Sequence, residues 1–263
     1  MGTYFLECCV DSVESALAAA EGGADRIELC TGLVIGGLSP SLALFEEIRA
    51  QVEIPIHVLL RPRFGDFCYT EKEFAVMVRE VELFQKAGAQ GVVIGCLKKD
   101  GSLDRERMEE LMAAAKGIKV NLHRAFDVCA DPWETYRQAK ELGIDTILTS
   151  GQEENCFRGL PLLKELAELQ KKTKGPRIMA GAGVTPDVIR QFLARTEITD
   201  FHLSAKKVLK SEMEYRKEGV PMGIPGMDEY SVFRTDAREV ARARQALQDY
   251  YQMKSELQLK MSS

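Results

Sequence analysis

A junction that recurs between helical and strand-like segments is the strongest constraint on the fold of this chain. In each copy a glycine ends an amphipathic segment, a small or apolar residue and a polar residue follow, and a short apolar run begins. The copies are Gly23-Ala24-Asp25, Gly88-Ala89-Gln90 and Gly143-Ile144-Asp145. Glycine commonly ends helices, and continuous apolar runs are typical of parallel strands buried on both faces. The pattern therefore predicts repeated strand–helix units around a parallel sheet.

Eight apolar runs are candidates for the strands of this sheet. They are Tyr4–Cys9, Arg26–Cys30, Ile56–Leu60, Gly91–Gly95, Val120–His123, Thr146–Thr149, Arg177–Ala180 and Asp200–Ser204. Segments with the apolar spacing of amphipathic helices separate them. A doubly wound sheet would more often have a glycine-rich first turn, whereas this chain has Cys9-Val10-Asp11-Ser12 there. We therefore predict an α/β fold, a single-domain (β/α)8 TIM barrel.

The C-terminal part of the chain departs from the repeated pattern. Residues 206–235 are rich in glycine and proline and fit neither a helix nor a strand, so we expect a long loop after strand eight, a candidate lid or oligomer contact. Residues 236 to about 251 predict a closing helix, which completes a barrel domain over residues 1–251. Residues 252–263 are expected to form a polar C-terminal tail that frays.

Composition and charge exclude several classes of function. The formal net charge is −5 without a cluster of basic residues, so no nucleic-acid partner is expected. The apolar runs are shorter than the roughly 20 residues of a membrane span, and the N-terminus lacks the features of a signal peptide, so no membrane partner is expected. The 7 cysteines, an odd number in a chain without an export signal, predict reduced thiols. The cytoplasm is the expected location.

Polar side chains gather at the predicted carboxyl ends of the strands, where TIM barrels place their chemistry. Because strand side chains alternate, Glu7 and Cys9 share one face of strand one, and Glu28 and Cys30 share one face of strand two. Neighbouring strands lie about 4.8 Å apart, so the two carboxylates need a cation or a shared proton. Arg61, after strand three, is the expected partner. A purely structural ion-pair cluster is the alternative interpretation.

Further candidates continue around the predicted mouth. His123 follows strand five and is suited to proton transfer or ligation, with Asp127 expected to orient it. The turn after strand seven precedes a helix, a place where barrels often bind phosphate. The full set of catalytic candidates is Glu7, Glu28, Arg61, His123, Asp127 and His202. The residues expected to bind an anion are Arg63, Arg124, Ser150, Gly181, Gly183 and Ser204.

Several stretches of the chain carry a resemblance to a known family. They are Leu6-Glu7-Cys8-Cys9, Gly23-Ala24-Asp25-Arg26-Ile27-Glu28-Leu29-Cys30, Gly36-Gly37-Leu38-Ser39-Pro40-Ser41, Arg61-Pro62-Arg63, Gly65-Asp66-Phe67, His123-Arg124-Ala125-Phe126-Asp127, Leu148-Thr149-Ser150-Gly151-Gln152 and Met179-Ala180-Gly181-Ala182-Gly183-Val184. In this order they resemble the CutC family, the copper homeostasis proteins. The resemblance implies a cytoplasmic (β/α)8 barrel that forms a homo-oligomer, with a dimer as the first expectation. One departure is Phe64, where the family usually has glycine, and its bulk is expected to narrow the mouth or restrain the loop.

The resemblance also implies that copper, as Cu(I), is the cofactor or partner, because cysteines proposed as ligands in that family match Cys9 and Cys30. Soft thiolates select Cu(I), although free cysteine also packs as a small buried hydrophobe. Carboxylates and arginines add little to Cu(I) affinity. The sequence thus leaves two main functions open: a copper homeostasis protein that binds Cu(I), and an enzyme acting on a small anionic substrate, phosphorylated substrates included. A scaffold with a vestigial pocket is a third.

Overall fold

Eight short parallel strands close into a barrel in the order of the chain. The computed structural model describes residues 4–220, 222–224 and 226–262. The barrel strands are β1 (Phe5–Val10), β2 (Arg26–Leu29), β3 (Ile56–Leu59), β4 (Gly91–Ile94), β5 (Lys119–Leu122), β6 (Thr146–Thr149), β7 (Arg177–Ala180) and β8 (Asp200–Leu203). β8 pairs with β1, which closes the ring. The predicted (β/α)8 TIM barrel is confirmed.

A helix follows each barrel strand, after a turn or loop for the first seven strands and after a two-stranded segment for the eighth. The helices are α1 (Val13–Glu21), α2 (Leu42–Arg49), α3 (Glu71–Lys86), α4 (Arg105–Ala114), α5 (Pro132–Leu142), α6 (Leu160–Thr173), α7 (Pro186–Arg195) and α8 (Ala237–Ser262). Side-chain caps begin several of them: Thr185 accepts the backbone N–H of Val188 at α7, as expected of threonine at this position. Gly143, with φ of 79°, ends α5 in the left-handed conformation that glycine adopts easily.

The apolar core lies between the barrel and its helices. Its largest fully buried side chains include Phe45, Met77, Tyr136, Phe192 and Phe201. With these residues filling the outer layer, the polar side chains of the strands are left to face the inside of the barrel. The charged residues of β1, β2 and β8 are therefore buried within the fold, and Glu28 and His202 among them reach its mouth.

The register of the first strands sets the level of each side chain in the barrel. Glu7 pairs with Arg26 on one side and with His202 on the other. Cys9, two positions further along β1, pairs with Glu28. Glu28 therefore lies one inward-facing position closer to the mouth than Glu7, and the two Glu-x-Cys segments are staggered rather than level.

The segment after β8 differs from the loop expected there. Lys206–Lys210 and Ser231–Thr235 form the antiparallel strands β9 and β10; we call residues 206–235 the β-ribbon. Val208 lies opposite Phe233, a β-branched and aromatic pair of the kind that stabilises such ribbons. The expectation of a loop was therefore wrong at both ends of this segment. The glycine and proline residues that suggested a loop lie between the two strands, not within them.

The closing helix is longer than the sequence pattern predicts. α8 continues through Ser262, so the expected polar tail is helical over residues 252–262. This stretch is rich in Gln, Lys, Leu, Met and Glu, which are strong helix formers even without an apolar face. Within the described part of the chain, no helix is both long and apolar enough to cross a membrane.

Candidate functional site

A pocket of about 500 Å³ opens at the carboxyl ends of the barrel strands. Its polar lining comprises Cys9, Glu28, Cys30, Arg61, His123, Arg124, His202, Ser204 and Lys206. These side chains come from five different strand ends or the segments that follow them. The barrel thus brings together most of the residues that the sequence singles out, at the end of the fold where TIM-barrel enzymes have their active sites.

Glu7 lies below this pocket and is held in a buried ion pair. Its side chain is 1% exposed, and its Oε2 accepts a hydrogen bond from Nε of Arg26. Its Oε1 lies 2.7 Å from Nδ1 of His202. Burial by itself raises the pKa of the Glu7 carboxyl, but the charge of Arg26 and the hydrogen bond with His202 hold that pKa well below its ordinary value. Glu7 is therefore a permanent carboxylate.

Arg26, not Arg61, is the cation that pairs with Glu7, so the expected partner was wrong. The Arg26 guanidinium also lies over the ring of Phe5, 4.7 Å from its centroid, which shields the pair from solvent. The sequence contains a signal for this role: Arg26 and Glu28 are two positions apart, so their side chains lie on the same face of β2. At the first position of a strand, however, an arginine is also typical of a solvent-exposed end.

His202 and Glu28 complete a cluster with Glu7 that we call the acid–base triad. One ligand-type atom from each of the three residues lies within 4.8 Å of the other two. Burial opposes the charge of His202, but Cys9 and the carboxyl groups of Glu28 and Glu7 raise the pKa of the imidazole well above its ordinary value. Burial raises the pKa of Glu28 to about 7, despite the attraction of His202. Glu28 can therefore gain or lose a proton near neutral pH.

The acid–base triad also has the donor types of a metal site, since two carboxylates and an imidazole suit hard and borderline divalent cations. In this structure both oxygens of Glu7 already have partners, Arg26 and His202. A cation bound by all three residues would compete with Arg26 and the charged imidazole for Glu7. The observed hydrogen bonds therefore favour proton transfer over metal binding at these residues.

Arg61 is fixed by the loops around it rather than by a carboxylate. Its Nη1 donates to the carbonyl oxygens of Ile35 and Gly37, at 3.3 and 3.2 Å, and its Nη2 donates to that of Gly65 at 2.7 Å. Gly37 has φ of 87°, a left-handed conformation that suits glycine. The guanidinium lies over the ring of Phe67, 5.0 Å from its centroid. These contacts orient Arg61 along the pocket wall.

His123 also lines the pocket and contacts the same aromatic neighbour, Phe67. Its ring centroid is 4.8 Å from that of Phe67, and its Nδ1 accepts the backbone N–H of Ala125 at 3.1 Å. Burial and the charge of Arg61 lower the pKa of His123 to about 3. Its imidazole is therefore neutral at physiological pH, with Nδ1 already occupied.

Asp127 does not orient His123, and that expectation was wrong. A short 3-10 turn over Arg124–Val128 directs the carboxylate towards the end of β6. There it accepts hydrogen bonds from the hydroxyl of Thr149 at 2.5 Å and from the backbone N–H of Ser150 at 3.0 Å. It also accepts one from Nε of Arg124 at 2.6 Å. Asp127 thus holds the loop after β6 and the base of the Arg124 side chain.

The residues expected to bind an anion divide into two groups. Arg124, Gly183 and Ser204 line the pocket. Lys206 lines it too, and it was not among the predicted residues although it lies only two positions after the predicted strand eight. Three others lie outside the lining, for the reasons that follow.

Arg63 forms ion pairs with Asp66 and Glu73. The Ser150 hydroxyl donates to the backbone carbonyl of Glu153. Gly181 packs against Leu148, whose Cδ1 would lie 2.6 Å from a Cβ at this position. Each of these residues has a packing or pairing role that explains its position beside the site.

Cys9 and Cys30 both line the pocket, and the surroundings of Cys30 bear on whether it can bind Cu(I). Cys30 is fully buried in a small apolar cluster with Leu59 and Val93. Its thiol donates to the carbonyl oxygen of Val10 at 3.4 Å, and burial followed by repulsion from Cys9 raises the pKa of Cys30 well above its ordinary value. These surroundings favour the thiol over the thiolate that binds Cu(I).

Phe64 points away from the site. Its side chain is 67% exposed, and the pocket lining is formed by other residues of this loop region, among them Arg61 and Phe67. The bulk of Phe64 therefore does not narrow the mouth of the pocket in this structure, contrary to one of the two expectations for this position.

Comparisons with known proteins agree on one family. Its profile, described as the CutC family, matches residues 4–207. A CutC protein of Bacteroides thetaiotaomicron is 43% identical over 250 residues, which cover 94% of this chain and 99% of that protein. A CutC protein of Erwinia tasmaniensis is 42% identical over 243 residues, covering 92% of this chain and 95% of the relative.

Solved structures give the same fold. The crystal structure of a Streptococcus agalactiae CutC, named for a suggested role in copper homeostasis, matches with a TM-score of 0.72 and 26% identity. The match covers 77% of this chain and 99% of that one. Thiamine phosphate pyrophosphorylase from Pyrococcus furiosus matches with a TM-score of 0.57 and 15% identity, over 94% of this chain and 96% of that one. The second match is one of fold alone.

Proposed function

The chain belongs to the CutC family, and we propose that its barrel mouth is an acid–base catalytic site for a small anionic substrate. The observation that carries this proposal is the position of Glu28. Burial raises its pKa to about 7, and it lies beside the charged His202. It also faces a pocket that three further cations line, Arg61, Arg124 and Lys206. A carboxyl group that titrates near neutral pH inside a cationic pocket suits proton transfer to a bound anion.

Each member of the acid–base triad has a distinct part in this function. Glu28 is the group that exchanges a proton with the substrate. His202 supplies a positive charge that stabilises the ionised form of Glu28 after proton release. Glu7, kept ionised by Arg26, fixes the His202 ring through the hydrogen bond at Nδ1. Glu7 and Arg26 are thus positioning residues below the reacting groups.

The anionic part of the substrate would lie towards the opening of the pocket. Arg124 and Lys206 line that region, together with the turn at Gly183 that precedes α7. Backbone N–H groups at the start of a helix and cationic side chains together favour phosphate or carboxylate groups. Inorganic phosphate is therefore the simplest probe of this part of the pocket.

A second candidate function is Cu(I) binding by Cys9 and Cys30 as part of copper homeostasis. It is supported by the copper-related name of the Streptococcus agalactiae relative and by the presence of both thiols in one pocket. Two thiolates suit Cu(I). The apolar surroundings of Cys30 and the charged groups of the pocket, which add little to Cu(I) affinity, make this the weaker candidate on the geometry.

Two titrations distinguish the candidates. We expect phosphate to bind the wild type and to bind the Arg124→Gln/Lys206→Gln variant at least about tenfold more weakly, since charged hydrogen bonds contribute about 1.5–3 kcal/mol.

Under reducing conditions, the Cu(I) affinities of the wild type and of the Cys9→Ser/Cys30→Ser variant should be equal if copper is not the ligand. Cys96→Ser, a buried thiol away from the pocket lining, is the matched control. Absence of phosphate binding, with Cu(I) affinity lost only in the double cysteine variant, would reverse our preference.

We also propose a cytoplasmic location and self-association, for which a dimer is the simplest form. The seven cysteines are all free thiols, in keeping with a reducing compartment. Val208, Tyr215 and Met222 of the β-ribbon are 61%, 65% and 81% exposed. Large apolar side chains concentrated on one projecting segment favour contact with another protein surface, and a second copy of the chain is the partner we propose.

A further inference from the structure

We infer that the substrate is a carbonyl compound whose carbonyl oxygen is bound by Arg61 and His123 while Glu28 moves a proton at the adjacent carbon. This inference rests on the acid–base function proposed above and names its substrate class. It depends on two residues of the pocket lining, Arg61 and His123, each of which has a buried N–H donor, Nε of Arg61 and Nε2 of His123, without an acceptor in the described part of the chain.

The tautomer of His123 is determined by its backbone neighbour. Nδ1 accepts the N–H of Ala125, so the proton of a neutral imidazole must lie on Nε2. Burial and Arg61 lower the pKa of this ring to about 3, which keeps it neutral. With Nδ1 occupied, His123 offers the pocket an N–H donor instead of the base that the sequence suggested.

Arg61 offers a second donor of the same kind. Its two terminal nitrogens donate to the carbonyl oxygens of Ile35, Gly37 and Gly65, which fixes the guanidinium and leaves Nε–H without an acceptor. The side chain is only 8% exposed. A buried donor without an acceptor costs about 1–3 kcal/mol, so two such donors in one pocket indicate an acceptor that a ligand supplies.

Both donors border one aromatic side chain, that of Phe67. The Arg61 guanidinium and the His123 ring lie 5.0 and 4.8 Å from its centroid. A ligand atom that satisfies both must accept two hydrogen bonds, as a carbonyl or enolate oxygen does. A neutral imidazole N–H beside a cation suits an oxygen that gains negative charge during the reaction, because the donors are oriented before the charge develops.

The step is balanced without an added oxidant or reductant. The Glu28 carboxylate takes the proton from the carbon next to the carbonyl group, and the C–H electron pair forms a carbon–carbon double bond. The carbonyl π electrons move to the oxygen, where Arg61 and His123 stabilise the enolate. Glu28, now a carboxylic acid, returns the proton to the same carbon, which gives exchange. In an α-hydroxycarbonyl compound the proton of the hydroxyl group can first pass to the enolate oxygen, so that the hydroxyl oxygen becomes the new carbonyl oxygen and Glu28 protonates the former carbonyl carbon, which gives isomerisation. The reaction class is therefore exchange or isomerisation through an enolate.

Oxalate, a planar dianion with acceptor oxygens only, is the probe for these donors, and phosphate is the probe for the anion region. We would titrate both into the wild type, His123→Leu and His123→Gln at pH 7. Loss of a donor to a charged acceptor should weaken oxalate binding about 10- to 100-fold in His123→Leu. His123→Gln, which retains an N–H donor, should recover much of the affinity, and phosphate affinity should be the same in all three proteins.

Nitrogen-15 NMR of the wild-type protein without ligand provides a reading that does not depend on binding. We expect His123 to show a protonated Nε2 and an unprotonated Nδ1. The opposite tautomer, or equal oxalate affinity in His123→Leu and the wild type, would overturn the inference while phosphate binding still supported the proposed function. Failure of both probes to bind the wild type would count against the proposed function as well.

Discussion

Nδ1 of His202 lies 2.7 Å from Oε1 of Glu7, although the two residues are 195 positions apart in the sequence. The contact joins the first and last strands of the barrel, which pair at these two residues. On its other oxygen Glu7 accepts a hydrogen bond from Arg26. A buried carboxylate between two cationic groups therefore links the two strands that close the barrel. Its contribution to stability can be measured.

Removal of the Arg26 charge should destabilise the protein. In Arg26→Met the carboxylate of Glu7 loses its main counter-charge in a buried site, and we expect the free energy of unfolding to fall by about 3–5 kcal/mol. Denaturant unfolding followed by circular dichroism measures this change. Arg190→Met, which breaks an exposed pair with Asp187, should cost less than about 1 kcal/mol. Equal losses of unfolding free energy in the two variants would show that the buried ion pair stabilises the protein no more than an exposed one.

The stability of the protein should depend on pH through Glu28. In the unfolded chain this carboxyl loses its proton near its ordinary pKa of 4.5, whereas in the folded protein its pKa is about 7. The folded state holds more protons between these values, so the contribution of Glu28 to stability falls as the pH rises through that range and remains low above it. Glu28→Gln cannot ionise and should therefore be more stable than the wild type at pH 8, by about 1–3 kcal/mol.

The comparison at acid pH is the control for Glu28→Gln. At pH 4 the carboxyl is protonated in both states, so variant and wild type should have nearly the same free energy of unfolding. Urea unfolding at pH 4, 6 and 8 gives the difference directly. A constant difference across this range would mean that Glu28 does not titrate as the structure indicates.

Gly95 should be required for the position of His123. A Cβ at this residue would lie 2.6 Å from Cε1 and 2.8 Å from Nδ1 of His123. Gly95→Ala should therefore displace the ring and weaken its bond from Ala125, with a loss of about 1–3 kcal/mol in stability and a changed nitrogen-15 signal. Gly223→Ala is the control, since a Cβ there meets open space. An unchanged His123 signal in Gly95→Ala would contradict this prediction.

Shortening the β-ribbon should affect assembly more than folding. Replacing residues 211–230 by an Asn-Gly turn keeps the pairing of β9 with β10 and supplies a turn that suits a two-residue hairpin. We expect circular dichroism like that of the wild type, and loss of self-association in sedimentation equilibrium. Tyr215→Glu/Met222→Glu should have the same effect without a deletion. An unchanged mass in both variants would show that copies meet elsewhere or remain monomeric.

The sequence predicted the strands well because each is a short, continuous apolar run. All eight candidate runs overlap the observed strands to within about a residue at each end, for instance at Gly91–Ile94. Alternation also predicted which side chains face inwards, such as Glu7 and Glu28. The β-ribbon was missed because β9 is exposed on both faces and β10 is only partly buried, so neither strand has the continuous apolar run of the barrel strands.

The level of a side chain within the barrel was harder to predict than its face. The alternation of side chains along a strand shows which face each residue is on. It does not show the register between neighbouring strands, which depends on how the strands are staggered when the barrel closes. For that reason Glu28 lies one inward position above Glu7, and Arg26 takes the place expected for Arg61. The orientation of Asp127 depends on a local 3-10 turn, which hydrophobic periodicity does not reveal.

The pairing of β1 with β8 has a consequence for synthesis on the ribosome. Glu7 and Arg26 leave the exit tunnel early, whereas His202 is translated only after the segments of the first seven barrel strands. A truncated product that ends before residue 200 therefore lacks one member of the acid–base triad and one of the two neighbours of β1. The complete acid–base triad is in this way restricted to chains whose synthesis has passed residue 202.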